Sequence, residues 1–150
     1  DYANKHIRIL DAFYGMVNPL DDILPYRLEM QYPIKIQGNN LYKFWDDKIY
    51  NKLYSEDNVI VNLASEEYAK TVRRFLNEED IFIDIDFKVN KDGKLKTLAT
   101  LAKMARGQMV KYIIENKIDN PEDLKNFTLN SFKCCSNLST SKKVVFIKED

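Results

Sequence analysis

The amino-acid sequence predicts an α+β fold, a single compact domain in which helices and strands are mixed. Its 150 residues, 45% of them hydrophobic, suffice to bury a core without disulfide bonds or structural metals. In residues 81–89 apolar and charged side chains alternate before a glycine turn, which predicts a β-hairpin over about residues 81–101. Elsewhere apolar residues recur at the spacing of a helix, so several helices are also expected.

The amino-terminal segment predicts a helix-hairpin-helix-like element. Apolar side chains recur at helical spacing over residues 3–14, and Gly15 follows as the residue that would end this helix. Asn18 and Pro19 are typical of a helix N-cap and first position, which predicts a short second helix. Backbone N–H groups at such a helix start can bind a phosphate, so Gly15 and Asn18 are candidate phosphate-binding residues. The alternative is a simple turn that joins two helices.

The rest of the chain alternates between the two element types, without a linker long enough to separate domains. Ser65 and the acidic residues after it are typical of a helix cap and first turn, directly behind an apolar strand. In chain order, the predicted elements are a helix over 41–53, a strand at 58–64, a helix from Ser65 to about Leu76, the hairpin, a long helix through Asn116, a short helix over 121–127 and a strand at 144–147.

Composition argues against several classes of protein. No apolar run approaches the roughly 18 residues that a membrane-spanning helix needs, and the polar start has no signal-peptide character. We therefore expect a cytoplasmic protein without a membrane partner. Cys134 and Cys135 are adjacent and thus poor partners for a loop-closing disulfide, and His6 is the only histidine, so neither a metal site nor a cofactor is predicted.

The net charge is zero, but the charges are segregated along the chain. Residues 88–117 hold eight Lys or Arg against two Asp or Glu. Within them, Lys103 and Arg106 are three residues apart on the predicted long helix, where they share a face and can bind one phosphate together. Gly107 follows, and a glycine kept inside a helix indicates close approach by another backbone or a ligand. Tight helix packing beside two solvated cations is the alternative.

Five polar residues that have apolar neighbours in the sequence, together with Gly107, are candidates for lining a cleft. In a strand, Arg27 and Glu29 would point the same way and could share a partner or form an ion pair. The other three, around the predicted strand-to-helix turn, are Asn62, Ser65 and Tyr68. The sequence has no Ser-His-Asp set, Cys-His pair, HExxH motif or Walker loop, so it names no nucleophile and an enzymatic activity is not favoured.

Six sequence blocks resemble, in the same order, those of the bacterial YaaA family of peroxide-stress-resistance proteins. In this chain the blocks are Gly15 with Pro19–Asp21, Pro25–Met30, Leu41–Trp45, Asn62–Ser65 with Glu67 and Tyr68, Lys103–Gly107, and Ile113–Asn116. The resemblance implies that residues 1–150 are the carboxyl-terminal portion of a YaaA-like domain whose amino-terminal portion is missing from this sequence.

The same resemblance implies a cytosolic function in peroxide stress. It implies a protein that helps limit iron-driven damage to DNA, and that binds double-stranded DNA through a helix-hairpin-helix element and a positively charged cleft. This chain departs from the family pattern at Asn18, because the family usually has arginine before Pro-Leu-Asp. The departure removes one cation from the predicted hairpin.

Three hypotheses for the function follow. In the first, Gly15, Asn18, Lys103 and Arg106 contact the backbone phosphates of double-stranded DNA without reading its sequence. In the second, an enzyme or small-molecule-binding protein uses a polar cationic cleft on an anionic or nucleobase-like ligand. The third, direct iron sequestration, needs a cluster of metal ligands that the sequence does not show, and it ranks last.

Overall fold

The computed structural model of the protein describes residues 1–149, and their contacts divide them into two compact units. Unit 1 comprises Asp1–Asn58 and Ala64–Asp80, and unit 2 comprises Val59–Leu63 and the chain from Ile81 onward. Both units contain helices and strands, so the predicted α+β class is confirmed. Within residues 1–149, no helix is both long and apolar enough to cross a membrane.

Unit 1 combines short helices with a small hairpin. In chain order, its elements are α1 (Tyr2–His6), β1 (Ile9–Asp11), β2 (Gly15–Val17), α2 (Leu41–Trp45), α3 (Lys48–Tyr54) and α4 (Glu66–Arg73). Helices α3 and α4 pack together, and Ile49 and Val72 on them are almost fully buried. The single helix predicted over 41–53 is divided into α2 and α3 because Asp46 has a φ of 49°, outside the helical range.

The predicted helix over residues 3–14 is wrong beyond α1, because β1 and β2 form an antiparallel hairpin there. Asp11 provides the physical reason. Its carboxylate accepts hydrogen bonds from the backbone N–H groups of Phe13 and Tyr14, both at 2.7 Å, so that these groups are not available to a helix. Gly15 follows with a φ of 78°, the left-handed conformation that closes a three-residue hairpin loop.

The second helix predicted at Asn18 is also wrong, because residues 18–21 form a turn. The N–H of Asp21 donates to the carbonyl of Asn18 at 3.1 Å, and the N–H of Asn18 donates to the carboxylate of Asp21 at 2.7 Å. No strand forms around Arg27 and Glu29 either, since residues 22–29 are irregular. The helix-hairpin-helix-like element predicted near the amino terminus is therefore a β-hairpin followed by a turn.

Trp45 holds the β1–β2 hairpin from one side. Its indole N–H donates to the carbonyl of Ala12 at 2.9 Å. A Cβ added at Gly15 would lie 2.7 Å from the tryptophan ring, closer than real Cβ atoms approach other atoms. The glycine thus lets the protein's own tryptophan lie against the hairpin backbone.

Replacing Gly15 with alanine tests this packing, and Gly38 offers a matched control. Gly38 has a similar φ of 80°, but nothing lies within 4 Å of a Cβ added there. We expect Gly38→Ala to lower the free energy of unfolding by about 1 kcal/mol, the cost of a left-handed alanine. Gly15→Ala should lower it by about 3 kcal/mol or more, because the clash with Trp45 is added. Urea denaturation measures both, and equal losses would contradict the packing role.

Unit 2 is built on a five-stranded sheet. In chain order, its elements are β3 (Val59–Asn62), β4 (Ile81–Lys91), β5 (Lys94–Lys96), α5 (Ala99–Asn116), 3-10 helices at Pro121–Asn126 and Leu129–Ser131, β6 (Phe132–Cys134), a 3-10 helix at Ser136–Leu138, and β7 (Lys143–Glu149). The strand order is β3-β4-β7-β6, and β5 pairs with the end of β4. Strands β3 and β7 run parallel to β4, β5 runs antiparallel to β4, and β6 runs antiparallel to β7.

The core of unit 2 lies against β4. Alternate residues of this strand are buried, as the apolar-charged alternation predicts. The ring of Phe87 lies 5.2–6.0 Å, centroid to centroid, from the rings of Phe127, Phe132 and Phe146. This cluster packs β4 against β6, β7 and Phe127, the residue that follows the first 3-10 helix.

The predicted hairpin of β4 and β5 is confirmed, with a shorter second strand than expected. Asp92 and Gly93 form its two-residue loop, with φ values of 54° and 72°. Two successive positive φ values are typical of the type I′ turn, whose twist suits a hairpin. The long helix, the short helix near Pro121 and the last strand are also found where the sequence predicts them.

Candidate phosphate-binding segment and a polar cavity

Unit 2 carries a basic segment, defined here as the cations of residues 91–106: Lys91, Lys94, Lys96, Lys103 and Arg106. Lys91 and Lys94 are direct cross-strand partners. Like charges in opposed positions of a hairpin repel each other. Within residues 1–149 neither lysine forms an ion pair with a carboxylate, so a bound anion would relieve this repulsion.

The two helical cations of the basic segment flank the buried face of α5. Ala102, Ala105 and Met109 form that face, whereas Lys103 is exposed. The Nε of Arg106 donates to the carbonyl of Ala102 at 3.3 Å, which fixes the guanidinium along the helix. In the described part of the chain, no carboxylate pairs with Lys103 or Arg106. Both therefore remain candidates for binding phosphate.

Gly107 lies beside these cations on an open helix surface. No heavy atom lies within 4 Å of a Cβ added at Gly107. In residues 1–149, the close approach of another protein segment that this glycine suggested is therefore not found. A glycine one turn after Lys103 and next to Arg106 leaves the helix backbone accessible from outside.

Replacing Gly107 with alanine tests whether this residue lies on an open helix surface. Because the site is helical and open, Gly107→Ala should raise the free energy of unfolding by about 0.5–1 kcal/mol. Denaturant titration checks the sign. A loss of stability would show that a contact of Gly107 supports the fold and would contradict its assignment to an open surface.

Gly15 and Asn18, predicted to bind phosphate in unit 1, are engaged by the protein itself. Trp45 covers Gly15, and the N–H of Asn18 is bonded to the carboxylate of Asp21. The side-chain amide of Asn18 also donates to this carboxylate, at 3.2 Å. A phosphate at this turn would meet a negative charge instead of free N–H groups, so these two residues are not carried into the proposal below.

Unit 1 contains an open cavity of about 470 Å³ beside the irregular segment that follows the turn. Arg27 and Glu29 both line it, as does Asp11. The ion pair that strand alternation suggested for Arg27 and Glu29 is not formed. Neither side chain makes a hydrogen bond or an ion pair with the described residues, which leaves a cation and an anion available at the cavity.

Tyrosines lie close to this cavity. The hydroxyl of Tyr26 donates to the carboxylate of Asp11, and burial together with this bond raises the pKa of Tyr26 well above its usual value, so the phenol stays neutral. Burial, with the nearby carboxylate of Glu67, also raises the pKa of Tyr68, and the charges of Asp11 and Glu29 act in the same direction. Tyr68 is thus within electrostatic range of the cavity's acids.

The other two predicted cleft residues have local structural contacts. The side-chain amide of Asn62, at the end of β3, donates to the carboxylate of Asp84 on β4 at 2.8 Å. Ser65 is the N-cap residue of α4, and its backbone carbonyl accepts the first helical bonds, from Tyr68 and Ala69. Both residues support the strand-to-helix connection.

The ten predicted site residues therefore fall into two groups. Unit 1 contains Gly15, Asn18, Arg27, Glu29, Ser65 and Tyr68, and unit 2 contains Asn62, Lys103, Arg106 and Gly107. Within their own units, Arg27 and Glu29 line one cavity whose lining does not include Tyr68, and Lys103, Arg106 and Gly107 lie on one helix. Within residues 1–149, no group of three or more His, Cys, Asp or Glu side chains could hold a metal ion.

Sequence reasoning missed two sets of residues. The hairpin lysines of the basic segment were counted in the charge asymmetry, but the like-charged pair of Lys91 and Lys94 becomes visible only with the strand register. Asp11 and Tyr26 were missed because Asp11 fell in a helix that does not form. An aspartate two and three residues before free N–H groups was the available signal.

Comparison with known proteins agrees with the six sequence blocks. The family profile described as "Peroxide stress protein YaaA" matches residues 1–138. The chain belongs to this family. A UPF0246 protein of Clostridioides difficile (strain 630) is 45% identical over 150 residues, which cover 99% of this chain and 61% of that protein.

Two other relatives also match nearly the whole chain but only part of their own length. A UPF0246 protein of Agathobacter rectalis is 44% identical over 147 residues, or 97% of this chain and 59% of the relative. One from Ligilactobacillus salivarius is 46% identical over 147 residues, or 97% of this chain and 60% of the relative. The chain thus spans about three-fifths of the length of the curated relatives it matches.

Proposed function

We propose that this chain takes part in peroxide stress by binding double-stranded DNA in the cytoplasm, through backbone phosphates and without sequence specificity, and so helps limit iron-driven oxidative damage. The observation that carries the proposal is the basic segment of unit 2. It combines unpaired cations on a hairpin and on a helix within one unit. Membership of a peroxide-stress family supports the setting of the proposal but does not by itself name a partner.

The side chains of the basic segment suit backbone contacts better than base readout. Four of the five cations are lysines, which bind phosphate as point charges, and only Arg106 can form a bidentate contact. Such contacts position a protein on a duplex but carry no sequence information. The open backbone at Gly107 allows a phosphate strand to approach α5 closely.

Phosphate binding also offers a physical route to limiting iron damage. Duplex DNA condenses cations along its backbone, and a protein that neutralises phosphates with Lys or Arg releases them. Ferrous iron held at the backbone would be among the released cations. Radicals formed from peroxide and iron would then arise farther from the DNA.

The double variant Lys103→Ala/Arg106→Ala tests the proposal against a duplex of fixed length. Affinity should fall at least about tenfold at physiological ionic strength, because two phosphate contacts are lost. The slope of log K against log salt concentration should decrease in magnitude by about 2, since each contact contributes about 0.9. Fluorescence anisotropy at several salt concentrations measures both quantities.

The matched control is Lys125→Ala/Lys133→Ala, which removes two positive charges from unit 2 outside the basic segment. This control variant should keep the wild-type salt slope. Duplexes of different sequence should compete equally for the wild-type chain. A flat salt response of the wild-type chain, or the same loss in both double variants, would contradict the proposal.

A further inference from the structure

The cavity of unit 1 is an open groove on the protein surface, lined by Asp11 and by residues 23–29, most of which are exposed to solvent. Its volume of about 470 Å³ lies in the range of ligand pockets, roughly 300–1,000 Å³. Ile23, Leu24 and Pro25 provide an apolar wall, and Leu24 is 76% exposed although it lies beside the cavity. A ligand that covered this wall would remove exposed apolar surface from water.

The segment that forms this wall is held in place before any ligand binds. The N–H of Leu24 donates to the hydroxyl of Tyr14 at 3.0 Å. The ring of Tyr26 lies 5.2 Å from that of Phe13 and 5.8 Å from that of Tyr14, and its hydroxyl is bonded to Asp11. The β1–β2 hairpin thus fixes both the aromatic and the apolar part of the lining, which lowers the entropic cost of binding.

Two charged groups at the cavity are left for a ligand. The Arg27 guanidinium is exposed to solvent, no side chain in residues 1–149 neutralises it, and it matches a phosphate in geometry and charge. The Glu29 carboxylate likewise accepts no hydrogen bond there, and carboxylates accept well from amino groups. Asp11 is already engaged by Tyr26 and by the hairpin turn, so it stays structural.

We propose that this cavity binds one free nucleoside monophosphate, with the base against Tyr26 and the apolar wall, the phosphate on Arg27 and an amino group of the base donating to Glu29. A smaller zwitterion such as an amino acid would have the two charged ends but would fill little of the cavity. The site lies in unit 1, whereas the basic segment proposed to bind DNA lies in unit 2.

The test titrates the full chain with AMP by isothermal calorimetry, beside adenosine and inorganic phosphate as its two halves. AMP should bind at least about tenfold more tightly than either half, because both the base and the phosphate are held. Arg27→Ala should lower AMP affinity about tenfold or more and leave adenosine affinity unchanged. The control Lys35→Ala, an exposed cation of unit 1 outside the cavity, should leave both unchanged.

Glu29→Gln tests the contact with the base. The wild-type chain should prefer AMP over IMP, which lacks the amino group, and the variant should lose this preference because an amide can also donate to the IMP carbonyl. The variant Lys103→Ala/Arg106→Ala should keep the wild-type affinity for AMP. AMP binding in unit 1 is thus tested independently of DNA binding in unit 2. The proposal is overturned if AMP binds no better than phosphate, if Arg27→Ala and Lys35→Ala behave alike, or if the unit 2 variant loses AMP.

Discussion

The burial of β4 is the constraint on which unit 2 depends. This strand pairs with β3 and β7 on its two edges, and the ring of Phe87 contacts three other phenylalanines. A strand held in this way cannot slip by one residue without turning its apolar side chains away from the core. Beyond the core, the two-residue turn of Asp92 and Gly93 sets the register of β4 with the exposed strand β5 and places Lys91 opposite Lys94. The turn thereby holds two like charges together, an arrangement that by itself is unfavourable and that an anion would stabilise.

Unit 1 shows how residues with the composition of an anion site can be used entirely by the fold. The glycine, the asparagine and the proline of the amino-terminal turn resemble a phosphate-binding helix start, yet Asp11 and Asp21 occupy the N–H groups that would face the phosphate. Trp45 takes the space that Gly15 provides. By contrast, the cations of the basic segment and Arg27 make no ion pair within residues 1–149. Charged side chains that no protein group pairs, more than motif composition, therefore distinguish the candidate sites.

The sequence predicts well the elements whose patterns are long. The alternation in β4 extends over many residues, so it identified the strand and the turn at Gly93. The amino-terminal hairpin was mispredicted because its apolar spacing also fits a helix, and one side chain, that of Asp11, decides the outcome by bonding to neighbouring N–H groups. Arg27 and Glu29 were expected to line a cleft, and they do line the cavity, but the strand expected for them does not form, because irregular segments have no periodicity to read. Lys103 and Arg106 were found because helical spacing alone places them together.

A titration of the isotope-labelled chain with duplex DNA, followed by amide NMR, tests the central claim most directly. The claim is that the duplex contacts the charges that the core of unit 2 leaves unpaired. We predict that the largest chemical-shift changes occur at residues 91–96 and 103–107, and that they shrink as salt is raised. Largest changes at residues 15–21, or changes that are insensitive to salt, would contradict the account.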